Sequence, residues 1–144
     1  MRRRAREIAF KALFEHLVGG VPLEEAWKHA LELEADPPDE ETLAFARRLV
    51  DGYLKHREQV DEVLKQTIEG WSFEQMNQTD LTVLRLATYE ALFEPTPFAP
   101  LIEVAVKIAK RYGGEDSGRF VNGVLSRLVR RIEEGEVEAA PREA

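Results

Sequence analysis

The sequence predicts an all-α protein: two small antiparallel helical bundles packed into one compact unit of about seven helices. Apolar residues recur every three to four positions in nearly every segment, and no run shows the two-residue alternation of a half-buried strand. Breakers stand at helix-length intervals, at Gly19-Gly20, Asp36-Pro37-Pro38-Asp39, Gly70, Pro95 with Pro97, and Gly113-Gly114. Polar residues suited to helix starts precede several of the apolar runs.

Taken in order, the first helix is expected over about 3–18, with Ala5, Ile8, Ala9, Ala12 and Leu13 inward, ended by Gly19-Gly20. Pro22 suits the first turn of a second helix that reaches about Leu33. A third covers about 40–55 and a fourth about 58–68, nearly continuous with it. Ser72 and Gln75 have the spacing of a capping box and open a short helical turn. The next helix, about 79–93, carries apolar residues on two faces, Leu81, Leu84 and Leu92 on one and Val83 and Leu86 on the other, and is therefore expected at the centre. A sixth spans about 100–112 with Ile102, Ala105, Val106 and Ala109 inward, and the last spans about 117–133. Residues 1–134 read as one domain, with bundles of about 1–57 and 58–134, and the acidic, unpatterned stretch 135–144 reads as a disordered tail.

The chain carries 27 carboxylates against 20 Lys and Arg, a net charge of −7, which argues against a generic polyanion binder. The distribution is uneven. Residues 107–131 hold seven cations against two anions, and residues 1–20 hold five against two. These two basic segments form one surface only if the fold brings the chain ends together. With no Cys, disulfides, thiolate catalysis and Cys-ligated zinc are excluded. Glu7, Lys11 and Glu15 interrupt the apolar run a signal peptide needs, and no segment has the length of a membrane span, so a cytoplasmic location is expected. His16, His29 and His56 lack metal-ligand spacing, and there is no P-loop, dinucleotide fingerprint or nucleophile elbow, which leaves enzyme the weakest class.

The most informative stretch is Glu115–Leu128. On a helical wheel Val121, Val124, Leu125, Leu128 and Ile132 form one apolar stripe, while Gly123 falls opposite it among Arg119, Arg127 and Arg130. A helix-interior Gly costs roughly 0.5–1 kcal/mol relative to Ala, so it points to close approach of another helix or of a ligand. Phe120 lies at the stripe edge near Arg127 and Arg131, either as a core residue or as a ring flanked by guanidinium groups, the chemistry that holds an unstacked base.

Three ordered blocks resemble the NusB transcription antitermination factor family: Arg2-Arg3-Arg4-Ala5-Arg6 with Ala12-Leu13-Phe14, the run from Asp80 to Glu90, and Ala109-Lys110 through Glu115-Asp116-Ser117 to Phe120-Val121-Asn122-Gly123-Val124-Leu125. The resemblance covers about residues 3–128. It implies two packed helical bundles, no enzyme activity and no cofactor. It also implies the ribosomal protein NusE as partner, joint binding of the boxA element of nascent ribosomal RNA transcripts, and read-through by RNA polymerase. Carried over by position, Arg3, Arg4, Arg6, Phe14, Asp116, Arg119 and Phe120 match the RNA-facing surface, and Asp80 with Arg85 on the exposed side of its helix match the partner-facing region. The family usually has Tyr at the position of Phe14, so only stacking or packing remains there. Where the family has Ile-Asn-Glu-Ala this chain has Ile102-Glu103-Val104-Ala105, preceded by Pro100. The alternative is a helical protein–protein interaction module without RNA binding that docks through the Asp80 helix; a homodimer stays open.

Overall fold

The computed structural model describes residues 2–70 and 72–143. Among them are seven helices, α1 (Arg2–Leu17), α2 (Leu23–Glu32), α3 (Glu40–Lys55), α4 (Arg57–Thr67), α5 (Gln78–Phe93), α6 (Phe98–Gly113) and α7 (Glu115–Glu133), with a 3₁₀ turn at Phe73–Gln75 before α5 and no strand. The ends follow from local chemistry. Asp39 caps α3 by accepting from the Thr42 amide at 2.7 Å, and Asn77 caps α5 by accepting from the Thr79 amide at 2.8 Å. The Ser72–Gln75 capping box forms as expected.

The sixth helix starts earlier than its sequence suggests, at Phe98, with Pro100 inside the first turn. The first four amides of a helix have no intrahelical partner, so a proline there removes no hydrogen bond. Its buried face is also rotated. Leu101, Ala105, Ile108 and Ala109 are buried, whereas Ile102 and Val106 are only half-buried.

Helix α1 packs on α2 and α3, α6 packs on α7, and α5 lies against α1, α3, α4, α6 and α7. From Asp80 to Leu92 every residue of α5 except Arg85 is buried. One continuous core therefore runs through both halves of the chain, from Leu13, Trp27 and Leu49 to Leu84, Leu101 and Leu125.

The acidic tail departs from the expected disorder over its described part, up to Glu143; Ala144 lies outside the described residues. The Ala140 amide donates to the Leu92 carbonyl and the Glu143 amide to the Pro95 carbonyl, each at 2.8 Å. The Arg142 guanidinium donates to the Ala91, Thr96 and Ala140 carbonyls at 2.8 Å and lies 4.6 Å from the Phe98 ring centre. Ala91 and Leu92 are in the last turn of α5, where carbonyls have no intrahelical donor, so the tail completes that helix end.

Candidate nucleic-acid interface

The first turn of α5, the end of α6 and the first turn of α7 meet around Asp80. Asp80 is 7% exposed, and burial raises the pKa of its carboxyl group while the Ser117 hydroxyl opposes the rise. Gly113 makes this approach possible, since a Cβ there would collide with the Ser117 hydroxyl and lie 3.4 Å from Asp80 Oδ1. Outside this junction opens a cleft of about 340 Å³ lined by Met76, Asn77, Asp80, Asp116, Ser117 and Phe120, among others. Phe120 is half-buried, with part of its side chain packed on the core and part on the cleft.

A second, larger groove of about 560 Å³ lies near the first, with Thr79 and Tyr112 lining it and the residues after them, Asp80 and Gly113, lining the cleft. Its walls come from the ends of α1, α2 and α6 and include Phe10, Phe14, Val18, Leu33 and Tyr112. The Phe10 ring lies between Phe14 and Tyr112, with centroids 5.8 and 5.1 Å away. Lys110 and Arg111 in the last turn of α6 and Arg119 near the start of α7 are exposed and paired with Glu115, Glu7 and Asp116 respectively. The Arg119–Asp116 pair has side chains 69% and 94% exposed, a geometry in which solvent and salt screen most of the attraction.

The structure thus gathers Phe14, Asp80, Asp116, Arg119 and Phe120 around one helix end. It does not bring all the N-terminal arginines there. Arg6 precedes Phe14 by eight residues along α1, about 12 Å at 1.5 Å per residue. Arg3 is exposed, whereas Arg4 bonds Glu34 at 2.9 Å and the Asp36 carbonyl. The expectation that Arg6 faces RNA is corrected: its side chain is 11% exposed and its Nε bonds Glu90, itself 3% exposed, at 2.9 Å. The partner-facing assignments change too. Arg85 is on no exposed face; it bonds Asp61 at 3.3 Å under the Phe73 and Tyr53 rings, because α5 is surrounded. Asp80 lines the same cleft as Phe120.

The arginine face of α7 also divides. Arg127 donates to the Thr67 carbonyl at 3.1 Å, and Arg131 to the Thr67 hydroxyl at 2.6 Å and the Val63 carbonyl at 3.4 Å. These two side chains tie α7 to the end of α4 and do not flank Phe120 as base-binding groups. Gly123 is exposed, and a Cβ there would meet nothing within 4 Å, which removes close helix packing as the reason for it. Gly123→Ala is therefore expected to stabilise the protein by roughly 0.5–1 kcal/mol in urea unfolding. An unchanged or lower midpoint would contradict that account of the site.

Sequence reading missed Tyr112. The signal was present: an aromatic residue directly after Lys110-Arg111 and before the Gly113-Gly114 stop, where a helix end exposes its side chains.

The fold and this face define an all-helical binding protein that sets aromatic rings beside exposed cations at one helix end. The chain belongs to the NusB family, whose model matches residues 3–130. It is 62% identical to the transcription antitermination protein NusB of Thermus thermophilus, over 100% of both chains. T. maritima NusB shares its fold with a TM-score of 0.80 at 37% identity, covering 95% of this chain and 98% of that one. A chain in the crystal structure of antitermination factors NusB and NusE in complex with dsRNA matches with a TM-score of 0.75 at 25% identity, over 90% and 96%. The family is one of transcription antitermination factors and not of enzymes. No helix among the described residues is long and apolar enough to cross a membrane.

Proposed function

We propose that this chain binds a boxA-like element of single-stranded ribosomal RNA transcripts jointly with ribosomal protein NusE, and within an antitermination complex helps RNA polymerase read through terminators. The observation that carries the reading is the placement of Phe120 and Phe14 on two neighbouring concavities around the first turn of α5, with Lys110 and Arg119 exposed on the helix ends that meet there. Half-exposed rings offer stacking surface to unpaired bases, and nearby cations position phosphates without reading sequence. The likeness to a NusB chain seen with NusE and RNA supports the same reading.

With Arg3, Lys110 and Arg119 as phosphate contacts, the log–log dependence of affinity on salt should have a slope of about −2 to −3. Phe120→Ala should weaken binding about tenfold, since base stacking on an aromatic ring is worth about 1–3 kcal/mol. Both are read in a mobility assay using a boxA-like strand and a scrambled control, with and without NusE. Equal affinity for the two strands would remove the specificity claim. If charge reversal at Arg3 and Arg119 left RNA association untouched while NusE binding fell, the protein-docking alternative would replace this reading.

A further inference from the structure

Among the described residues, the exposed large apolar side chains are Val18, Leu33 and Tyr112, at 43%, 70% and 37%, and all three line the groove beside the Phe120 cleft. Scattered exposed apolar residues need no explanation, but three around one concavity mark a binding surface. Of the three tyrosines in the chain, Tyr53 and Tyr89 are buried with their hydroxyls donating to Asp61 and Glu94. Tyr112 is the tyrosine that keeps an exposed ring. The Arg111 guanidinium lies 5.5 Å from that ring, and Phe10 supports it from the core side.

We propose that this groove seats one further nucleobase of the same RNA strand, stacked on Tyr112 and contacted by its hydroxyl, so that Tyr112 extends the base-binding surface beyond Phe120 and Phe14. The inference rests on the RNA-binding reading above. Three features favour a base as the occupant. The groove neighbours the Phe120 cleft, since Thr79 and Tyr112 line the groove and the residues after them, Asp80 and Gly113, line the cleft. The cation that lines the groove, Lys11, is held by Glu34 at 3.5 Å with its side chain 19% exposed, and the remaining lining is mostly apolar, a floor suited to a ring face. Phe14 offers only a ring, whereas Tyr112 adds a hydroxyl that can bond a base edge.

A stacking contact and a phosphate contact differ in their response to salt. Tyr112→Ala is therefore expected to weaken binding of a boxA-like strand about tenfold while leaving the salt slope unchanged. Arg119→Ala is expected to make the slope shallower by about 0.7. Tyr112→Phe should keep the stack and lose a few-fold. A strand carrying 2-aminopurine at successive positions should show one position whose fluorescence is quenched by the parent protein and not by Tyr112→Ala. Thermal melts accompany each variant, and Tyr112→Leu replaces Tyr112→Ala if the latter fails to fold, since it keeps apolar packing without the ring. Parent-like affinity of the folded Ala or Leu variant would overturn the proposal, as would a fall in NusE binding with RNA affinity unchanged. Failure of the parent protein to bind any strand would instead overturn the RNA-binding reading itself.

Discussion

Arg6→Ala is expected to destabilise the fold by about 3–5 kcal/mol, the cost of removing one partner from a buried ion pair. Glu90 would keep only the Thr96 hydroxyl, which donates to it at 2.6 Å, in a site where its side chain is 3% exposed. In a domain whose total stability is about 5–15 kcal/mol this is a large fraction, and at roughly 3 °C per kcal/mol the melting temperature should fall by about 10–15 °C. The paired replacement Arg6→Met with Glu90→Leu removes both charges and should recover most of the loss, because well-packed apolar residues often match a buried pair. Urea unfolding of the two variants separates these contributions. Full stability of Arg6→Ala combined with lost RNA affinity would return Arg6 to the RNA-facing surface.

The second large effect belongs to the other end of the chain. Arg142→Ala should cost about 1.5–3 kcal/mol, the range for hydrogen bonds made by a charged donor, whereas a substitution in a disordered tail should stay within about ±0.5 kcal/mol. The guanidinium satisfies the carbonyls of Ala91, Thr96 and Ala140 with donors spread across one plane. Lysine is a poor substitute, since a single ammonium has no fork with which to span three acceptors. Burial lowers the pKa of Arg142, with Glu90 and Glu94 opposing the change. Equal urea midpoints for Arg142→Ala and the parent would show that the tail contributes nothing to the fold.

The helices were legible because each needs only local information: an apolar period, a breaker and a cap. The burial of α5 was legible for the same reason, in its two apolar faces. Long-range pairing was not. Nothing near Arg6 in sequence announces Glu90, and nothing near Arg85 announces Asp61, so both read as free cations until the fold closes around them. Arg127 and Arg131 were misplaced likewise, since a helical wheel shows a polar face without showing which neighbouring helix end that face completes. The tail misled by composition: a run rich in Glu and small residues has no apolar period, yet one Arg with three carbonyl acceptors and the packing of Val137 and Ala139 suffice to dock it. Phe14, Asp116 and Phe120 were named from family position, and the fold sets them on two concavities around the first turn of α5. The groove beside Tyr112 was not legible, because it is made by three helix ends that are remote in sequence.

Helix α5 is enclosed by five other helices, with the candidate RNA face at its first turn and the tail anchored on its last. Few apolar contacts and exposed backbone make a segment mobile, and the first turn of α5 from Asp80 onward has neither. Association then asks the strand, and not the protein, to give up conformational freedom, so a transcript segment already held extended by a second protein should bind with less of that entropic cost. On the proposed reading, an acidic chain would serve such an assembly as a fixed template, with the ordering cost falling on the strand.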